Sequence, residues 1–248
     1  MRMHVRLSVV LIGVVAVAAA PAAAGQGSLD PGSPVGRALA FFAGPEAHQP
    51  DVLLLRLRPA PLSAAVRAAV VASLPPEGEL QPTEAERAKI AALEPIFDLH
   101  ERNGLIVTKV IDVGHAFVGL HAKTVLLLSR DALSLVSAQE LQALAAHELG
   151  HEMFWDEYEA ARVAGGQARL QELELLCDGV AVTTLRELGR GPQSLIDAVT
   201  KMTRHNERLR AVGSAARYAS LRQRRHFIEV VTAMLDARGQ EALTRHTP

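Results

Sequence analysis

Cysteine and aromatic side chains are scarce in this 248-residue chain, and each scarcity excludes a class of function. The single cysteine, Cys177, cannot form a disulfide within the chain, and its apolar neighbours favour a small buried side chain over a nucleophile. Aromatic residues make up only 4% of the chain, so we expect no aromatic platform for stacked bases. The formal net charge of −1 likewise gives no electrostatic footprint for nucleic acid.

Long hydrophobic runs are absent after the first 24 residues. At the N-terminus, a basic start leads into an apolar run over residues 7–19 and then into alanines at residues 22–24. This order predicts a secretory signal peptide over residues 1–24, removed by cleavage after Ala24. The alternative is an uncleaved segment that anchors the chain in a membrane. With cleavage, we expect an exported chain, periplasmic or secreted, without a stable membrane span.

The rest of the chain has the composition of a globular protein, because hydrophobic residues make up 49% of it and charged residues 21%. Hydrophobic patterning predicts an α+β fold, mostly helical with a small β-sheet. We expect an N-terminal extension over residues 25–100, with a strand at 51–58, a helix at 61–74 and a helix at 83–100 that Pro95 kinks or splits. The main domain, 101–248, is expected to have strands at 105–113 and 124–129, followed by helices.

A capped helix carries the motif with the most chemistry. Ser137 and Glu140 form a capping-box pattern that predicts a helix start at Ser137. Within this helix the sequence HELGH places His147 and His151 one turn apart, so both imidazoles project from one face and can hold one metal ion. Glu148 lies beside them and can take a proton from water, which is the H-E-x-x-H arrangement of zinc hydrolases.

A catalytic zinc site usually has three protein ligands, so a third is expected downstream. The helical segment QELELLCDGVAV offers Glu172, Glu174 and Asp178. Glu174 lies on the flank of the apolar stripe, where a carboxylate is costly unless it is paired, whereas Glu172 is predicted to face solvent. We therefore choose Glu174 as the ligand. Asp178, one turn later, is suited to accept a hydrogen bond from a ligand histidine.

The chain between the two motifs restricts how they can meet. If the first helix continued from His151 to the Gly165-Gly166 pair, it would extend too far, and the return helix could not bring Glu174 back to the two histidines. Either the first helix ends early, near residues 155–156, or the return helix is tilted, and the sequence leaves both options open.

These motifs resemble the M48 family of zinc metallopeptidases, the gluzincins related to the CAAX prenyl protease and the HtpX heat-shock protease. The family pattern is H-E-x-x-H followed by a distant E-x-x-x-D, matched here by His147, Glu148 and His151 and then by Glu174 and Asp178. The upstream sequence GHAFVGLHAKTVLLLSRDALSLVSAQELQALAAHELGH is also similar to the family. The similarity spans residues 105–228.

The resemblance implies a zincin-like fold, one Zn²⁺ per chain and hydrolysis of peptide bonds with Glu148 as general base. It also implies an edge strand near residues 115–121 along which an extended peptide substrate lies. Candidate contacts to substrate or oxyanion are His115, Tyr218 and Arg224, with the last chosen by its offset among neighbouring arginines. The sequence departs from the family at His115, where Asn is frequent, and at Tyr218-Ala219-Ser220, where the family has an H-P-S-type segment. It also has no counterpart of the membrane helices of the multi-span members.

The sequence thus predicts an exported zinc endopeptidase that acts on polypeptides, and misfolded proteins of the bacterial envelope are the expected substrates. The first alternative is a proteolytically silent chaperone or binding module with a structural zinc site. The second is a structural envelope protein in which the motif occurs by chance. The basic stretch between Lys201 and Arg225 is expected to be a solvated helix face rather than a patch for anionic ligands or membranes.

Overall fold

The structure is a computed structural model that describes residues 11–13, 30–44, 47, 49–75, 79–209 and 219–245. The strands β1–β5 span Leu11–Gly13, Glu79–Leu80, Val107–Ile111, Val118–His121 and Val125–Ser129. The helices α1–α11 span Pro34–Ala43, Pro50–Leu57, Ala64–Ser73, Glu84–Ala91, Glu94–Leu99, Arg130–Leu135, Ala138–Met153, Trp155–Val163, Gln167–Glu187, Gln193–Arg208 and Leu221–Arg245. The predicted α+β class, mostly helical with a small sheet, is confirmed.

The sheet is mixed and has the strand order β1-β4-β5-β3-β2. Strands β3 and β5 are parallel, and the other neighbouring pairs are antiparallel. A three-residue loop, residues 122–124, joins β4 to β5, and its first two residues, Ala122 and Lys123, have positive φ angles of 46° and 57°. These values match a tight hairpin turn whose twist fits the flanking strands. Its register places Leu120 of β4 opposite Leu126 of β5.

Helices α7 and α9 pack against each other, and most of the other helices contact one or both of them: α1, α2, α4, α5, α8, α10 and α11. One continuous hydrophobic cluster extends from Val35 in α1 to Leu235 in α11. Helix α9 contacts α1, α2, α8 and α11 as well as α7. Both sides of α9 are therefore covered, which explains why a helix with several acidic residues is buried along most of its length.

Residues 34–57, part of the expected N-terminal extension, pack into this same core through α1 and α2. Phe42 of α1 is fully buried and lies against Gly179 of α9, where an added Cβ would be 2.1 Å from the phenylalanine ring. Only glycine leaves room for this ring. Phe42 also meets Phe227 of α11 edge to face, with 6.0 Å between the ring centroids. One aromatic side chain thus joins three helices.

Of two expectations about the N-terminal elements, the strand is wrong and the split helix is confirmed. Residues 51–58 were expected to form a strand but lie almost entirely in α2, because Pro50 starts the helix and Leu53 and Leu54 pack inward while Leu55 is 61% exposed. The expected helix over residues 83–100 is split into α4 and α5, with Pro95 in the first turn of α5.

Several other expectations about secondary structure are confirmed. The helix expected at residues 61–74 is α3, with Ser63 as its N-cap. Thr83 and Glu86 form the capping box of α4. The strands expected at residues 105–113 and 124–129 are β3 and β5. Residues 11–13 lie inside the predicted signal peptide, and the rest of that peptide is outside the described residues.

Replacing Phe42 with alanine is expected to lower the free energy of unfolding by about 3–5 kcal/mol, because it removes a buried ring and leaves a cavity over Gly179. Leu55→Ala is the matched control at an exposed position of α2 and should change stability by less than about 0.5 kcal/mol. Urea unfolding of the two variants and the parent measures the difference. Equal, small effects would show that α1 does not belong to the core.

A buried histidine predicts how stability changes with pH. Burial lowers the pKa of His100 to about 3, with Arg58 and Arg102 adding to the effect, and its Nε2 lies 2.9 Å from Thr184 Oγ1. The unfolded chain takes up this proton near pH 6.5 and the folded chain only near pH 3, so stability is lost as the pH falls between these values. Between pH 7 and 5 the loss from this group is about 2 kcal/mol. Urea unfolding at pH 7 and at pH 5 should show this loss of stability in the parent and in His226→Gln, which alters an exposed histidine. The loss should be absent in His100→Gln.

Candidate metal centre

Helix α7 begins and ends where the site requires it. The side chain of Ser137 accepts a hydrogen bond from the Glu140 N–H, and Glu140 Oε2 accepts one from the Ser137 N–H at 2.7 Å, which completes the capping box. The helix stops at Met153, and Phe154 separates it from α8. Of the two options for the connection, the early helix end is therefore the one observed, and α8 leads to Gly165, whose φ of 66° starts the return into α9.

The structure brings His147, His151 and Glu174 together. Nε2 of His147 lies 3.5 Å from Glu174 Oε2, and Nε2 of His151 lies 3.6 Å from Glu174 Oε1. Ligand atoms at the corners of a tetrahedron around zinc are about 3.4 Å apart when each is about 2.1 Å from the ion. The two histidine-to-glutamate distances, measured from different oxygens of Glu174, are close to this length, and one ligand atom from each of the three residues lies within 4.8 Å of the other two.

The chemistry of these three groups also fits a metal ion. Their side chains are at most 1% exposed, yet His151 Nε2 and both carboxylate oxygens of Glu174 have no hydrogen-bond partner among the described residues. Buried polar atoms without a partner are costly, and a cation between them would satisfy all of them. Two imidazoles and one carboxylate form a ligand set that zinc accepts, with a fourth position left for water or substrate.

A buried ion pair lies behind His147. Nδ1 of His147 is 2.9 Å from Asp178 Oδ1, and Asp178 in turn accepts hydrogen bonds from two nitrogens of Arg224, with Nε at 2.8 Å from Oδ2. Arg224 belongs to α11, so this contact joins the third helix of the site to α7 and α9. A carboxylate at Nδ1 favours the tautomer that leaves Nε2 free for a metal ion.

Glu148 is buried close enough to this group for the charges of His147 and Glu174 to act on its carboxylate. It is fully buried, and its Oε2 accepts a hydrogen bond from the Leu120 N–H of β4 at 2.9 Å. Its Oε1 has no hydrogen-bond partner among the described residues. The contact with Leu120 fixes one oxygen of the carboxylate and leaves the other available for a proton.

Burial and neighbouring charges shift the pKa values of four groups of the site in different directions. Burial opposes a charge on His147, but Asp178 and Glu174 outweigh it and raise its pKa to about 9. Burial lowers the pKa of His151 to about 4. Burial, together with the nearby Glu174 carboxylate, raises the pKa of Glu148 to about 8. Burial opposes ionisation of Asp178 as well, but Arg224 lowers its pKa to about 2. Neighbouring groups with such different proton affinities are typical of functional sites.

Gly150 allows the two central helices to come close enough to share a metal ion. A Cβ added at Gly150 would lie 2.8 Å from the Cα of Cys177, so any side chain there would push α7 and α9 apart. Cys177 lies between Glu174 and Asp178 along α9, and Gly150 immediately precedes His151. This close approach of the two helices is therefore next to the candidate ligands.

The other candidate residues have different surroundings. His115 is partly exposed in the loop before β4, with its Nδ1 2.9 Å from the Val113 carbonyl oxygen. Arg224 was a candidate oxyanion contact, but two of its guanidinium nitrogens are bound to Asp178. Tyr218 lies outside the described residues. The prediction that Glu172 faces solvent was wrong, because it is buried and its Oε2 is 2.6 Å from Arg37 Nε of α1.

Two polar contacts near the site were not anticipated from the sequence. The side chain of Asn206 in α10 is fully buried and pairs with both backbone groups of Ala116, at 2.9 Å and 2.8 Å, which holds the chain just before β4. Glu152, the residue after His151, accepts hydrogen bonds at 2.8 Å and 2.9 Å from Arg102, and both side chains are buried. A polar residue on the apolar side of α10, in line with Met202, was the available signal for Asn206.

Comparison with known protein families matches none of them to this chain, and comparison with curated proteins finds no match either. In the described part of the chain, no helix combines the length and the apolar character needed to cross a bilayer. The M48 resemblance therefore depends on the motif residues and the upstream segment described above.

Gly150→Ala is expected to weaken zinc binding and to lower the free energy of unfolding by about 1–3 kcal/mol. The new methyl group would overlap Cys177, and this overlap outweighs the roughly 1 kcal/mol that alanine gains over glycine inside a helix. Gly191→Ala is the matched control, because a Cβ there meets nothing within 4 Å. Zinc titration and urea unfolding measure both effects, and unchanged zinc affinity in Gly150→Ala would contradict the close-contact argument.

Proposed function

We propose that this protein is an exported, zinc-dependent endopeptidase with a zincin-like fold, related to the M48 metallopeptidases. The observation that supports the proposal most strongly is the position of Glu148, a buried carboxylate with one free oxygen beside a buried group of two histidines and one glutamate. A purely structural zinc site has no use for an additional buried carboxylate of this kind. The predicted signal peptide supports export, and the polypeptide substrates are expected to be proteins of the cell envelope.

Each residue of the site has a defined part in the proposal. His147, His151 and Glu174 would hold one zinc ion per chain, and Asp178 with Arg224 would keep His147 in the required tautomer. When bound, zinc would act as a Lewis acid that lowers the pKa of a water molecule and polarises a peptide carbonyl. Glu148 accepts the proton of the attacking water at Oε1, while Leu120 holds Oε2, and it then passes this proton to the amine that leaves.

A second candidate function is favoured by the burial of the site. The side chains of His147, Glu148, His151 and Glu174 are at most 1% exposed, so a peptide has no direct path to them in this conformation. A binding module or chaperone with a structural zinc ion would need no such path. The two candidates differ in one respect that can be measured, since only the peptidase depends on the proton transfer by Glu148.

The proposal is tested by measuring zinc content and cleavage of unfolded casein for the parent protein and for Glu148→Gln. We expect one zinc per chain in both proteins, and a 10²- to 10⁴-fold loss of cleavage rate in Glu148→Gln because the general base is removed. Cleavage should also stop when a chelator removes the metal. Glu157→Gln, a change at an exposed position of α8, is the matched control and should retain full activity.

The other results distinguish the alternatives. One zinc per chain without cleavage by the parent protein would favour the binding module. Cleavage that survives both Glu148→Gln and the chelator would exclude this site as its source. No bound zinc would contradict both candidates and would favour a structural protein.

A further inference from the structure

The sulfur of Cys177 contacts one of the candidate zinc ligands. Cys177 Sγ lies 3.5 Å from Nδ1 of His151, and both residues are fully buried. Sulfur hydrogen bonds are longer than those to oxygen, so this distance is compatible with an Nδ1–H that donates to the thiol. His151 Nε2, the other ring nitrogen, is the one near Glu174 Oε1, at 3.6 Å.

The tautomer of His151 determines whether it can bind a metal ion. A neutral imidazole that uses Nε2 as ligand must carry its proton on Nδ1, and that N–H needs an acceptor when it is buried. For His147 the acceptor is the Asp178 carboxylate, at 2.9 Å. For His151 the structure shows the Cys177 sulfur in the corresponding position.

We propose that Cys177 is a positioning residue of the metal centre, which accepts the Nδ1–H hydrogen bond of His151 and so holds Nε2 toward the zinc ion. This inference rests on the proposed zinc site and adds a residue to which neither the H-E-x-x-H pattern nor the E-x-x-x-D pattern assigns a role. Cys177 itself is not a ligand, because it contacts the ring nitrogen that faces away from Glu174.

The position of Cys177 in α9 explains how a small side chain can reach the imidazole. A Cβ added at Gly150 would lie 2.8 Å from the Cα of Cys177, so the backbones of α7 and α9 are close together at this point. Because His151 directly follows Gly150, this approach brings its imidazole within 3.5 Å of the Cys177 sulfur.

The test compares Cys177→Ala with Cys177→Ser in the full chain. Alanine removes the acceptor and preserves the small size, whereas serine keeps an acceptor on the same Cβ. Loss of a hydrogen-bond partner of a ligand histidine typically weakens metal binding 10- to 100-fold, and we expect about 10-fold for Cys177→Ala because sulfur is a weak acceptor. Cys177→Ser should remain within about 3-fold of the parent. Competition with a chromophoric chelator measures zinc affinity.

A second measurement detects the hydrogen bond itself. In ¹⁵N-labelled, zinc-loaded protein, the Nδ1–H proton of His151 should give a slowly exchanging NMR signal in the parent and in Cys177→Ser. In Cys177→Ala the signal should broaden or disappear. Thr183→Ala is the control for packing, because it trims a buried side chain of α9 whose hydroxyl donates to the Gly179 carbonyl oxygen and leaves the metal centre intact.

Each other outcome overturns the inference. Equal zinc affinity and an unchanged Nδ1–H signal in Cys177→Ala would show that the sulfur has no positioning role, while the zinc site itself would stand. An equal loss of affinity in Thr183→Ala would assign the effect to packing. If the parent protein binds no zinc, both this inference and the proposed function fail, so the two kinds of failure are distinguishable.

Discussion

The close contact between α7 and α9 is the constraint on which the site depends. These two helices supply all three candidate ligands, the neighbouring carboxylates and the sulfur at His151, and Gly150 permits the distance at which they meet. If the helices were separated by one further methyl group, the separations of 3.5 Å and 3.6 Å between imidazole and carboxylate would increase. The remaining helices cover this pair and keep water away from it.

The enclosed position of the site requires that its charges be neutralised locally. Asp178 and Arg224 neutralise each other, and Glu152 and Arg102 do the same at the end of α7. A buried ion pair adds little net stability, because the energy of removing both charges from water offsets their attraction. We infer that these pairs fix the orientation of the site helices, because each pair joins one of those helices to another segment of the chain.

The parts of the fold that the sequence predicted well are those that depend on nearby residues. The capping boxes at Thr83 and Ser137 and the spacing of His147 and His151 are local features, so the helix starts and the paired imidazoles were readable. The position of Glu174 followed from its place at the edge of an apolar stripe. These predictions used no information about distant contacts.

The incorrect predictions concern residues whose environment is set from far along the chain. Glu172 was predicted to face solvent, but Arg37, 135 residues earlier, covers it. The leucine-rich α2 resembles a strand in isolation, and its contact with α9 decides in favour of a helix. The turn after β4 lacks the Asn-Gly or Asp-Gly pair that usually marks a hairpin, so the strand that holds Glu148 was expected only from the family resemblance.

The turn formed by Ala122 and Lys123 has a consequence for the carboxylate of Glu148. It fixes the alignment of β4, and successive backbone N–H groups of a strand point to opposite sides. The loop of residues 122–124 sets the register in which His121 pairs with Val125 and Leu120 with Leu126. A loop longer or shorter by one residue would shift this register by one, so that a different residue of β4 would offer its backbone N–H to Glu148 and the side chains of the strand would turn to the opposite face. The length of this loop therefore decides which residue of β4 holds the buried carboxylate.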